Sequence, residues 1–185
     1  CTQKIKDATP LSNLLFVNRG GRFTEESLAR GLTHVDPTLV MKLYDIDDDS
    51  DPDLYVGNDL GRFFPDRFYI NDGRGYFTDQ ARAMGVAYAR DDRDSDTMGV
   101  AFGDVDLDGF QEIVSSTSDQ GSILLYHCDR TRRCAEVPDA WGLRSSHPGF
   151  GWALGLEDFD LDGDLDLLVA NGSFYVPAGQ RNQLF

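Results

Sequence analysis

The chain has 185 residues, 41% hydrophobic and 11% aromatic, enough in length and composition for a buried core. It carries 32 Asp and Glu against 17 Lys and Arg, for a formal net charge of −15. No run approaches the ~18 apolar residues of a membrane helix and no basic patch is long enough for a nucleic-acid footprint, so the composition argues against both partner classes. The first residue is Cys1, with no Met and no apolar leader, which reads as a chain processed or cut from a longer one.

From the N-terminal end, the first recognisable element is a hairpin over residues 13–25, where two short strands flank Asn18 and the pair Gly20 and Gly21. It reads as the end of one four-stranded unit, covering residues 1–30. A first acidic window follows, DIDDDSDPD over residues 45–53, inside a unit spanning 39–84 that closes with a second hairpin, residues 67–79, around Asn71, Gly73 and Gly75. These glycines supply the positive-φ positions that a tight hairpin needs.

The next unit, 98–140, gives the clearest strand pattern. A strand from Met98 to Gly103 leads into the acidic window DVDLDGFQE, residues 104–112; strands over Glu112–Ser116, Ile123–His127 and Cys134–Val137 then follow. A third window, DFDLDGDLD over residues 158–166, lies in a further unit opening at about 150 and running to 185. No segment has convincing helical periodicity; Glu25 to Arg30 and Gln80 to Met84 suit one short turn each.

The three windows align without gaps, their starts 59 and 54 residues apart, and they hold 15 of the 32 acids with no Lys or Arg. Outside them acids and bases balance at 17 each, so the whole net charge sits in three loops. Tandem units of four short strands at this spacing predict an all-β fold, a β-propeller section of about three to four blades belonging to a larger propeller, with a stacked open array as the alternative.

Within each window, acids at positions 1, 3, 5 and 9 surround one point with hard oxygen donors. A residue tolerant of a sharp turn stands at position 6, and position 7 offers its backbone carbonyl. The predicted ligands are Asp45, Asp47, Asp49, Asp51 and Asp53; Asp104, Asp106, Asp108, Phe110 and Glu112; and Asp158, Asp160, Asp162, Asp164 and Asp166, with Asp51, Phe110 and Asp164 acting through their carbonyls. So many carboxylates at short range repel one another unless a cation intervenes, and an all-oxygen set favours Ca2+, about three ions in all. An EF-hand is excluded because position 12 falls on Val56, Ser115 and Val169, in apolar strands, where a bidentate Glu would be required. Ser50 stands where the other loops have Gly109 and Gly163, which costs about 1 kcal/mol if left-handed and is partly offset by the extra acid Asp48, so the first site is expected to be occupied but weaker. A further acidic stretch, 91–96, lacks this spacing and reads as a solvated loop.

These loops and the Asn-x-Gly-x-Gly-x-Phe hairpins resemble the FG-GAP/VCBS repeats of integrin-alpha-like β-propellers, notably those of ASPIC/UnbV-type bacterial and cartilage acidic proteins. MGVAFGDVDLDG, residues 98–109, is close to that repeat signature. The resemblance covers nearly the whole chain and implies a propeller with calcium in a hairpin of each blade, usually in an extracellular protein. The third unit departs from it, since Cys128 to Cys134 replaces the glycine hairpin.

Cys128 and Cys134 stand where two paired strands leave and re-enter a turn, so a disulfide closing about seven residues is expected, contributing roughly 2 kcal/mol. Two free thiols are the alternative, and Cys1 is left over. Bond and calcium together suit a secreted or cell-surface setting. His34, His127 and His147 occur singly and no nucleophile, zinc or phosphate-loop motif is present, so no catalytic residues and no other cofactor are assigned. Trp141, Phe150, Trp152, Phe174 and Tyr175 suit either a carbohydrate-binding face or packing between blades. The resulting expectation is a non-enzymatic calcium-binding scaffold for a protein or glycan. The alternatives are a section of a calcium-dependent lyase or hydrolase, or a lectin.

Overall fold

In a computed structural model of the chain, residues 11–89, 95–118, 123–137, 141–143, 150–172 and 183–184 are described. Alternating apolar residues between turn segments produce thirteen described strands in four antiparallel sheets. A hairpin of β1 (Phe16–Asn18) and β2 (Phe23–Glu25) precedes a four-stranded meander of β3 (Thr38–Tyr44), β4 (Asp53–Asn58), β5 (Arg67–Asn71) and β6 (Phe77–Asp79). A second meander contains β7 (Thr97–Gly103), β8 (Glu112–Thr117), β9 (Ile123–Cys128) and β10 (Cys134–Glu136). The last sheet has β11 (Phe150–Glu157), β12 (Asp166–Gly172) and β13 (Gln183–Leu184). Among the described residues, helix is limited to a 3-10 turn at Leu28–Arg30 and one α-turn at Ala81–Met84.

The core lies between sheets, because the central strands bury both faces. On β4, Leu54 and Val56 face the first hairpin while Tyr55 faces the next sheet. On β8 and β9, Ile113, Leu124 and Tyr126 point back to that shared core, and Val114 and Leu125 point forward to Leu167 and Val169 of β12. Phe102 of β7 anchors the first interface, stacked on Tyr44 at 4.7 Å and approached by Phe68 at 6.0 Å and Tyr55 at 6.1 Å. Face-to-face packing of small meanders, with the first strand β7 touching both β3 and β11, is the arrangement of propeller blades.

The repeat extends to its irregularities. Each first strand has one extra residue at a register shift against the second, Leu39, Met98 and Trp152, and each lies six residues ahead of its acidic loop. Beside these bulges the sheets approach so closely that a side chain on Gly99 would meet the backbone of Ala153, and one on Gly151 would meet Ser116, whose Oγ donates to the Gly151 carbonyl at 2.7 Å.

Asp66, buried just before β5, ties two sheets together. Its Oδ2 accepts hydrogen bonds from the Tyr55 hydroxyl at 2.7 Å and the Thr97 hydroxyl at 2.6 Å, and its Oδ1 accepts from the Asn58 amide at 2.8 Å. Burial still pushes its carboxyl up to about 6, against the lowering effect of those donors.

Candidate metal centres

Each acidic window is the connection between the first two strands of a sheet, so a strand-paired backbone fixes both of its ends. Val56, Ser115 and Val169 sit within β4, β8 and β12, which confirms a strand-loop-strand setting.

The turn is built by its own acids. Position 1 accepts two amides in every loop. Asp45 takes the N–H of Asp49 (3.2 Å) and Ser50 (2.9 Å); Asp104 takes those of Asp108 (3.1 Å) and Gly109 (2.9 Å); Asp158 takes those of Asp162 (3.1 Å) and Gly163 (3.0 Å). Position 5 accepts the amide of position 7: Asp49 from Asp51, Asp108 from Phe110 and Asp162 from Asp164, at 3.1, 2.8 and 3.0 Å. Position 9 reaches back to the amide of position 2, Asp53 to Ile46, Glu112 to Val105 and Asp166 to Phe159, at 3.0 to 3.1 Å. These bonds curl the backbone so that positions 1, 3 and 9 converge. In Asp45, Asp47 and Asp53, in Asp104, Asp106 and Glu112, and in Asp158, Asp160 and Asp166, one oxygen from each residue lies within 4.8 Å of the others.

Of the predicted ligands, position 5 joins such a group only in the second loop, where Asp108 meets Asp106 and His127; Asp49 and Asp162 belong to none. Asp51, expected to act through its carbonyl, also holds a carboxylate oxygen buried without a partner, as does Asp47. Ser50 is left-handed at φ 74°, like Gly109 at 89° and Gly163 at 102°. Position 4 is left-handed as well: Asp48, Leu107 and Leu161 have φ of 58°, 59° and 63°. Leucine gives no sign of such a conformation in the sequence, since it disfavours it.

Two side chains from elsewhere enter the loops. His127, read from the sequence as solitary, lies one residue beyond the Ile113–Tyr126 pair of β8 and β9, with Nδ1 3.0 Å from Glu112 Oε1 and 3.5 Å from Asp106 Oδ2. Arg132, in the turn between β9 and β10, donates from Nη1 to Asp47 Oδ2 of the preceding sheet. That turn is closed by the expected Cys128–Cys134 disulfide, which joins directly paired residues. Sequence spacing signalled neither contact, because both depend on strand register or sheet packing.

The electrostatics match crowded, partly buried carboxylates. Desolvation raises Asp53 to about 6 despite amide bonds from Asn71 and Ile46. Desolvation likewise raises Glu112, Asp47 and Asp51, with neighbouring aspartates adding to the last two. Asp160 is raised first by the charge of Asp162. Buried carboxylate oxygens without donors, amongst acids held near one another, fit a hard cation better than a proton-donor network.

The other candidates fall elsewhere. Asp96, the end of the acidic stretch 91–96, accepts from the Gly61 amide and the Ser118 hydroxyl, while residues 91–94 lie outside the described residues. His34 bonds the Tyr69 hydroxyl at 3.0 Å. Trp141 and Trp152 are partly exposed, and Phe174, Tyr175, His147 and Cys1 lie outside the described residues.

Residues 45–115, from the first acidic loop through the second and into β8, match the FG-GAP-like repeat, and residues 150–183, spanning the third loop and its strands, match the FG-GAP repeat. This is an FG-GAP repeat protein. No curated protein matches the chain. The acidic loops and the strands that flank them are the recurrent feature that both matched segments share. No helix among the described residues is long and apolar enough to cross a membrane.

Proposed function

We propose that this FG-GAP protein is an extracellular, non-enzymatic β-propeller module whose three acidic loops bind Ca2+ and whose blade-end loops present a surface to a protein or glycan. The observation that carries the calcium reading is the threefold convergence of positions 1, 3 and 9 within 4.8 Å, on turns already shaped by amide bonds. A bound divalent ion would supply the charge neutralisation that the clustered carboxylates lack. Positions 1, 3 and 9 would hold it by side-chain oxygens, with position 5 and the carbonyls of Asp51, Phe110 and Asp164 completing the shell. Position 9 opens the second strand and position 1 directly follows the first, so holding them together braces the pair against splaying. The role is therefore structural.

The disulfide supports an oxidising, extracellular setting. Further blades are supported by the bare apolar faces of the first and last large sheets: Leu39, Met41 and Leu43 on β3, and Leu168 on β12, are exposed. The test is isothermal titration of Ca2+ into chelator-treated protein, with melting curves in each state. About three sites with Kd on the order of 10^-4 to 10^-3 M and a higher Tm are expected. Absence of both heat and Tm shift would overturn the reading.

A further inference from the structure

The three loops share one design, yet among the described residues only the first receives a cationic side chain from another sheet. Arg132 projects from a turn fixed at two levels. At its base the Cys128–Cys134 bond joins β9 to β10, and above it Asp129 accepts the amides of Thr131 (2.7 Å) and Arg133 (3.2 Å) while the Asp129 carbonyl accepts the Arg132 amide (2.7 Å). This holds Arg132 at φ 60°, a left-handed conformation that a flexible turn would seldom populate. The disulfide hairpin replaces the glycine hairpin of the preceding sheet, and what it delivers across a cavity of about 170 Å3, lined by Ile46, Met84 and Phe110 among others, is a guanidinium.

Its target is Asp47, the position 3 carboxylate of the first loop, whose side chain is only 10% exposed. Arg132 holds Oδ2, and Oδ1 stays buried without a partner. The first loop is also the most acidic of the three, with six acids against four and five. A pre-positioned cation balances the surplus in the metal-free protein, and the same positive charge repels an incoming divalent ion.

We infer that Arg132 is the resident counter-cation of the first loop, which keeps that loop folded without metal and makes it the weakest and last-filled of the three calcium sites. This rests on the calcium reading above and adds to it a hierarchy among the loops set by the neighbouring blade. The expected consequence of removing the charge is a gain in calcium affinity at the first loop on the order of tenfold, the size of one unit charge a few ångströms from a divalent ion at a hydrated site.

The test is a calcium titration of chelator-treated protein followed on the backbone amide NMR signals of residues 46–51, 53, 105–112 and 159–166, for the native chain, Arg132→Gln, Arg132→Lys and Arg133→Gln. The native chain should fill its first loop last. Arg132→Gln should tighten that loop roughly tenfold, leave the other two unchanged and melt earlier than the native chain in chelator. Arg132→Lys, which keeps the charge, and Arg133→Gln, which removes a charge from the same turn without touching Asp47, should both behave like the native chain. Equal or weaker first-loop affinity in Arg132→Gln, with all three loops still titrating, would overturn the role of Arg132 and leave the calcium reading intact. No response at any loop in any protein would overturn the calcium reading and this inference with it.

Discussion

Asp66 and the acidic loops both hold carboxylates out of water, and they do so in opposite ways. Asp66 has protein donors for both oxygens, from Tyr55, Thr97 and Asn58, and is complete as a link between two sheets. In the first loop, Asp47 and Asp51 each keep a buried oxygen with no donor, and the neighbouring groups are acids. A carboxylate supplied with N–H and O–H groups has a structural role without any ion. One surrounded by other carboxylates gains stability when a cation is added, whether a metal or the guanidinium of Arg132.

The largest expected effect belongs to Glu112, which shares features of both classes, being fully buried, bonded to the Val105 amide and paired with His127. Glu112→Ala should destabilise the protein in chelator by about 3 kcal/mol, because the partly buried Val105 amide and His127 lose their acceptor and a fully buried side chain is removed. The less buried Asp166 in the same position should lose only about 1 kcal/mol on truncation, and urea titration of both variants checks the ordering. Next in size are Asp106→Ala and Asp160→Ala. Each should remove one site's calcium-dependent stabilisation, about 2.7 kcal/mol at a hundredfold excess over Kd, while changing the chelator melt little. Equal losses with and without calcium would move these residues into the structural class with Asp66.

Asp66 offers a pH test of the same contrast. Its carboxyl lies at about 6 in the folded protein, above the ordinary unfolded value near 3.9, so the native state binds more protons across that interval. Its favourable contribution is therefore greatest below the unfolded value and is lost as pH rises through about 6, by roughly 3 kcal/mol. In chelator, the difference in unfolding free energy between the native chain and Asp66→Asn should vary with pH between about 4 and 6 and be flat above about 7, since the loop acids titrate alike in both. The smallest effect expected is at Ser50. Ser50→Gly relieves a left-handed residue at a cost in unfolded-chain entropy, for a net gain of about 0.5 kcal/mol, whereas the same exchange at Leu107 should gain nearer ~1 kcal/mol because leucine tolerates φ 59° less well. Thermal melts in chelator resolve the two.

Much of this architecture is legible in the residue pattern. The strand over Met98–Gly103 begins one residue earlier, at Thr97, and those over Glu112–Ser116 and Ile123–His127 each run one residue further, to Thr117 and Cys128, because hairpin pairing extends to the last residues that find a partner. The disulfide is legible because its two cysteines bracket a turn between paired strands. Left-handed Leu107 and Leu161 are not, since the conformation is imposed by two amides folding onto the position 1 carboxylate against leucine's own preference.

Local sequence is enough to specify the four sheets, the acidic loops and the convergence of positions 1, 3 and 9, because the sheets follow from an alternation that only a strand can satisfy, repeated between neighbouring turns, and the loops from bonds within about ten consecutive residues. Which loop meets a foreign charge is settled by the packing of one sheet on another. Arg132 lies 85 residues from Asp47 and Thr97 31 from Asp66, and no local pattern encodes these pairs. They exist because sheets buried on both faces must pack against one another, and that packing sets which side chains of one blade reach the loops of the next.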